Sequence, residues 1–191
     1  MLPKPYQKPH PPIRVAATTQ ETFPQVGEMG YPIFAGLRGF DVPQVARHLT
    51  VYRQALQEAG HAGNGDVFLR IPVYVAETAE RAYAEPQEST LRSYQRLSRT
   101  FAQSAGAAGT TSTEERAERA ARLSQVSYHE LLRDRLAYGT PDMVVERLKQ
   151  LRDALGLSGV VIEPNVGGGM SREQVFRSVR LFAQEVAPKL H

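Results

Sequence analysis

An α/β chain of parallel strands joined by helical crossovers is what the sequence predicts, on three observations. Short apolar runs alternate with stretches whose apolar residues recur every three or four positions. The longest apolar run, Val67 to Val75, is nearly continuous, as in a strand buried on both faces. Helix-start and helix-stop residues fall between the runs, where crossovers need them. Alternation of this kind packs as a parallel sheet covered by helices.

The elements follow in order. Residues 1–12 hold five prolines between Leu2 and Pro12 and read as an extended lead-in or linker, since proline fixes φ and lacks a donor. Ile13 to Ala17 is the first strand candidate. Helix signals cover Thr18 to Met29, with Gly30 as the stop. Tyr31 to Gly36 is the second apolar run. Asp41 caps a helix whose Val42, Val45, Leu49, Tyr52 and Leu56 share one face. Gly60 to Gly65 is a turn-rich loop. Val67 to Val75 is the third strand, although Pro72 argues against a central position because it cannot donate to a ladder.

A polar, helix-forming excursion then covers residues 78–137, with a loop expected at Gly106 to Thr113, which is rich in Gly, Ala, Thr and Ser. Thr140 and Pro141 start the next helix as cap and first-turn proline, with Val144, Leu148, Leu151 and Leu155 as its stripe. Gly159 to Glu163 is the fourth strand candidate, and Pro164 to Met170 a glycine-rich loop. Ser171 caps a final helix carrying Val175, Val179, Phe182 and Val186. Four strands in this order fit either a small doubly wound sheet or half of a (β/α)8 barrel, and periodicity does not choose between them.

Composition narrows the function classes. With 191 residues, 41% hydrophobic and 23% charged, the chain can bury a core and is not expected to be disordered. It has no cysteine, which excludes disulfides and thiolate metal sites and makes a reducing, cytoplasmic compartment the expectation. No apolar run approaches the roughly 20 residues that span a bilayer, so no membrane role is expected. The start, Met1 to Pro5, does not read as a signal peptide. The net charge of +3 is spread out, and the arginines beside glutamates between Glu114 and Arg122 read as solvated helix faces. No basic patch is interleaved with aromatics, so nucleic acid is not an expected partner.

Three stretches could carry a ligand. Ala16-Ala17-Thr18-Thr19-Gln20-Glu21-Thr22 lies where a strand gives way to a helix. Unpartnered amides and the helix dipole there favour an anion, and the two alanines let it approach the backbone. The competing reading is a capping box between Thr18 and Glu21, which would satisfy those donors within the chain. Val166 to Ser171 again joins a strand to a helix, and its three glycines permit positive φ, but the stretch is neither a Walker loop nor a dinucleotide fingerprint, and a flexible loop is the alternative. Gly139-Thr140-Pro141-Asp142 needs no explanation beyond a helix start. The five histidines His10, His48, His61, His129 and His191 show no metal-ligand spacing, and His48 reads as a surface residue. No nucleophile elbow is present.

A family resemblance extends this reading. Pro9-His10-Pro11-Pro12 leading into Ile13 to Thr18 resembles the segment that enters the fifth barrel strand of luciferase-like, flavin-dependent monooxygenases. Glu21-Thr22-Phe23 with Gly30-Tyr31-Pro32-Ile33 is similar to the following helix and sixth strand. Val73 to Thr78 resembles the seventh strand and its exit. Tyr138-Gly139-Thr140-Pro141 and Leu181 to Pro188 are similar to the family's Gly-Thr-Pro helix start and its closing helix.

The resemblance implies that residues 13–191 form strands five to eight of a (β/α)8 barrel, with the helical excursion inserted before the last strand. It implies reduced flavin mononucleotide (FMN), or a deazaflavin, as cofactor, and oxygen acting on a small organic substrate. Ala17, Thr18, Gln20 and Glu21 would lie beside the flavin phosphate, and Ala35 and Gly36 near the ring. Luciferase itself has a glutamate and a serine where this chain has Ala17 and Thr18. Family members run to about twice this length, near the usual size of such barrels, so the chain is expected to be a fragment or incomplete form. The other half carries much of the active site, and no catalytic residue is assigned. Exposed edges and an uncovered sheet face would favour association with a complementary half-barrel or a second copy. The alternative function is a non-catalytic half-barrel that serves as an interaction module.

Overall fold

The structure is a computed structural model and describes residues 4–106 and 113–190. The elements are β1 (Val15–Ala16), α1 (Thr22–Glu28), β2 (Ile33–Gly36), α2 (Val42–Glu58), β3 (Val67–Val75), α3 (Ala79–Ala84), α4 (Gln87–Ala105), α5 (Thr113–Gln125), α6 (Tyr128–Asp134), β4 (Ala137–Gly139), α7 (Pro141–Leu155), β5 (Gly159–Glu163) and α8 (Arg172–Leu181). Every strand pair is parallel. β1 pairs β2, β2 and β5 flank the first part of β3, and β4 pairs Val73 to Val75. This is an α/β sheet with helical crossovers, consistent with part of a (β/α)8 barrel. Among the described residues β1 and β5 each pair on one side only. No helix among them is long and apolar enough to cross a membrane.

Several boundaries differ from the sequence reading. β3 is central despite Pro72. β2 pairs it only as far as Arg70, and β3 exchanges β5 for β4 after Pro72, so the missing donor falls at a break in the ladder. β4 was not expected: its three buried residues are too few to show a period, and they lie at the end of the stretch read as helical. α1 begins at Thr22, because the amides of Thr22 and Phe23 turn back onto the carbonyls of Thr19 and Gln20 at 3.2 and 3.3 Å. The capping box between Thr18 and Glu21 does not form. Capping boxes do start α2 at Asp41 and Gln44 and α8 at Ser171 and Gln174. Thr140 precedes α7 but its side chain makes no cap bond. The interior of the loop expected at Gly106 to Thr113 lies outside the described residues, as does His191.

Two cores hold the chain together. Alternate strand residues Ile33, Ala35, Val67, Leu69, Ile71, Val73 and Val75 point to the helices, where they meet Phe23 and Val26 of α1, Leu49 and Tyr52 of α2, and Leu148 and Leu151 of α7. Burying each large aliphatic side chain there contributes about 1.5–3 kcal/mol. The second core lies over the carboxyl ends of the strands: Tyr74, Ala76, Tyr138 and Met170 pack with Tyr94 of α4, Leu123 of α5 and Leu131 of α6. Tyr74 donates its hydroxyl to Glu85, which also meets Arg177 of α8 at 2.5 Å. Burial works against the Glu85 carboxylate, but Tyr74, Arg81 and Arg177 outweigh it and hold its pKa below the ordinary value.

Candidate functional site

The carboxyl ends of β1 and β2 open on a cleft of about 210 Å³. Small residues Ala16, Ala17, Ala35, Gly36 and Gly39 line it, with Phe34, Phe40, Leu97 and Phe101. Its polar lining among the described residues is Thr18 and three arginines, Arg38, Arg70 and Arg119, whose guanidinium groups meet the carboxylates of Glu163 and Glu115. Of the six residues expected at a cofactor, Ala17, Thr18, Ala35 and Gly36 come together here. Gln20 and Glu21 do not. The late start of α1 carries them into a separate hollow with Pro24, Gln25, His48 and Val51.

Strand parity refines the four that meet. Ala17 and Ala35 are only 4% and 2% exposed and belong to the helix-side core, so the cleft touches them at their edges. Ala16, Phe34 and Gly36 alternate with them and face the other way. The amides of Thr18, Thr19 and Gln20 meet no acceptor among the described residues, so the turn keeps donors for an anion beside the cleft.

The arginines were not legible as site residues. Arg119 of α5 is 1% exposed, which corrects the solvated-face reading at that residue, while Glu114, Glu118 and Arg122 are exposed. Its Nη1 donates to the Thr18 carbonyl at 2.7 Å, its Nη2 pairs with Glu115, and its guanidinium lies 4.0 Å from the Phe40 ring centre and 5.0 Å from that of Phe101. Burial lowers its pKa, with Glu115 acting in the opposite direction. Arg38, just past β2, donates to Ser93 Oγ at 2.5 Å and stands 3.7 Å from Glu163 Oε1. Arg70, in β3, donates to the same Oε1 at 2.5 Å. Tyr94 lies under Arg38, 5.8 Å from guanidinium to ring centre, and burial pushes its hydroxyl pKa up to about 12. One signal was available beforehand: Arg70 is the only charged residue in an otherwise apolar nine-residue strand.

The other candidates resolve as structure. Gly167 and Gly168 take φ of 83° and 71°, and the loop docks on α4 through Ser89, whose Oγ donates to the Val166 carbonyl at 2.5 Å and accepts from the Gly169 amide at 2.9 Å. Gly139 lets β4 approach Met143, and Asp142 pairs with Lys189 at 2.8 Å. His48 lies at the surface with one side covered. It is partly buried, stacked on Phe23 at 5.0 Å and edge-on to Phe40 at 4.8 Å, and burial lowers its pKa. His10, His61 and His129 are exposed. Among the described residues no group of three or more His, Asp or Glu could hold a metal.

Comparison with solved structures gives the same fold. The monooxygenase RslO1 from Streptomyces bottropensis matches with a TM-score of 0.63 and 24% identity, over 100% of this chain and 52% of that one. The oxygenating constituent of 3,6-diketocamphane monooxygenase from Pseudomonas putida, solved with FMN, matches with a TM-score of 0.65 and 22% identity, over 95% and 50%. The coenzyme F420-dependent tetrahydromethanopterin reductase from Methanopyrus kandleri matches with a TM-score of 0.64 and 16% identity, over 94% and 51%. The chain therefore spans about half the length of these proteins. A search of curated protein sequences gives no match. The model of the luciferase-like monooxygenases matches residues 1–158, and with that the chain belongs to the luciferase-like monooxygenase family.

Proposed function

We propose that the strand-end cleft is one side of a site for reduced FMN, or for a deazaflavin, in an oxidoreductase of luciferase-like monooxygenase type acting on a small organic substrate. The observation that carries this is the lining: small residues at two parallel strand ends, aromatic walls, and three arginines beside the Thr18 hydroxyl. Those residues fit a flat, anionic cofactor. Ala16 and Gly36 leave room for a ring against the backbone, and the amides of Thr18 to Gln20 suit a phosphate. Ala17, Thr18, Ala35 and Gly36 are the proposed contacts. Glu21 is left out because its carboxylate would repel a phosphate.

When bound, the reduced cofactor supplies the electrons with which oxygen is activated, or in the deazaflavin case a hydride. The residues of this chain bind and orient it. At about 210 Å³ the cleft is smaller than the roughly 300 Å³ at which whole ligand sites begin, so it covers part of a ligand. A complementary half-barrel or a second copy would supply the rest, seated on the sheet face where Phe34 and Phe68 are half-buried and Val161 is 39% exposed.

Titration of the purified chain with FMN and with a deazaflavin, followed by fluorescence, tests this. Saturation in the micromolar range is the expected result. No binding at millimolar cofactor would sink the proposal and favour a non-catalytic half-barrel that serves as an interaction module.

A further inference from the structure

The cleft has a second cationic end, anchored at Glu163 and not at Thr18. Arg70 and Arg38 approach the same carboxylate oxygen, at 2.5 and 3.7 Å. Two guanidinium groups face one carboxylate, which leaves one positive charge over. Donors are in surplus as well. The Nε of Arg38 and the hydroxyl of Tyr94, itself 1% exposed, are buried without a partner among the described residues. Glu163 is held through one oxygen, and its Oε2 also lacks a partner. Of these groups Arg38 lines the cleft, and an orphan donor there beside a surplus charge calls for an acceptor that carries negative charge. The apolar part of the lining, Phe34, Phe40, Leu97 and Phe101, calls for an apolar or aromatic body.

We infer that the cleft takes an organic oxyanion, a carboxylate or sulfonate on an apolar or aromatic body, with the oxyanion received by the N–H groups of Arg38 and Arg70 that Glu163 leaves free. This rests on the reading of the cleft as a ligand site and names the class of its organic substrate. Guanidinium forks bind such groups through paired N–H bonds, which a neutral amide of the same shape cannot match. Arg119 stands at the other end of the cleft, where its Nη1 and Nη2 engage the Thr18 carbonyl and Glu115.

The test is calorimetric titration of the full chain with benzoate, benzenesulfonate and benzamide, without flavin. The two acids are expected to bind about tenfold or more tighter than the amide and to weaken as salt is raised. Arg70→Gln should remove that preference. Arg70 is largely exposed, so the substitution leaves both cores intact. Arg70→Lys should restore part of the preference, and Arg38→Gln provides the second variant. Equal affinity for acid and amide, or binding of none of the three, overturns the inference. So does benzoate binding that survives both glutamine variants.

FMN and riboflavin as competitors separate the sources of the anion. Competition by FMN but not by riboflavin assigns the arginines to the cofactor phosphate and overturns the substrate assignment. FMN bound alongside benzoate supports it. Benzoate binding in a chain that binds no flavin keeps the oxyanion site and sinks the cofactor proposal.

Discussion

Successive residues of β3 serve two different environments. Val67, Leu69 and Ile71 are each 0% exposed under α1, α2 and α7, whereas Phe68 and Arg70, which alternate with them, lie half-buried and exposed on the opposite face. β5 repeats the pattern, with Ile162 packed against the helix-side core and Val161 exposed. The strand's period of two fixes which residue faces which way, so one face can be completed within the chain while the other is left for something else. The helix side therefore carries the buried core, and the proposed ligand site lies on the side where the arginines and the small residues meet. A parallel sheet normally has both faces covered, and here the described residues of this chain cover the second face less than the first at Phe68, Arg70 and Val161.

Substitutions at neighbouring positions test that division. Leu69→Ala should cost about 2–5 kcal/mol in urea unfolding, and Phe68→Ser, one residue away, less than about 1 kcal/mol. Equal losses would break the comparison. Arg119→Leu should cost about 2–3 kcal/mol, because it strands the Thr18 carbonyl and the Glu115 carboxylate that the guanidinium now satisfies. A neutral result in thermal unfolding would show that the cleft wall stands without it.

The smallest effect belongs to His48. Burial holds its folded pKa below 6.5, with Glu115 and Asp41 opposing and Arg47 and Arg119 assisting. The unfolded chain then binds the proton more readily, so the contribution is complete above pH 6.5 and is lost as pH falls through the folded value. His48→Phe should flatten the stability profile between pH 7 and pH 5. An unchanged slope would mean that the ring is solvated between Phe23 and Phe40.

How much of this was legible depends on how local each feature is. β3 and β5 were read with their observed limits because each is a continuous run bounded by turn residues. β1 was read too long: Ile13 and Arg14 have no strand partner, since only Val15 and Ala16 pair with β2. β4 was invisible at three residues. At the cleft, the turn holding Ala17 and Thr18 was legible because a strand end followed by a helix start is a sequence feature, whereas Ala35 and Gly36 came from the family resemblance. Arg119 was not, because its partner Thr18 lies 101 positions away and its pairing with Glu115 looks the same on a solvated helix. Arg38 and Arg70 needed β5 folded beside β3 before Glu163 could join them, a contact across 93 positions.

Because β3 threads both cores, the helical excursion cannot melt alone. Val73 and Val75 belong to the helix-side core, while Tyr74 and Ala76 belong to the one built by α4, α5 and α6. The Val75 amide is further pinned by Ser178 of α8 at 2.8 Å. Loss of either core pulls on the same three peptide groups, which joins the two into one cooperative unit. The amides of Val73 to Val75 should therefore exchange with solvent deuterium only through global opening, while those of β1 exchange through local fraying.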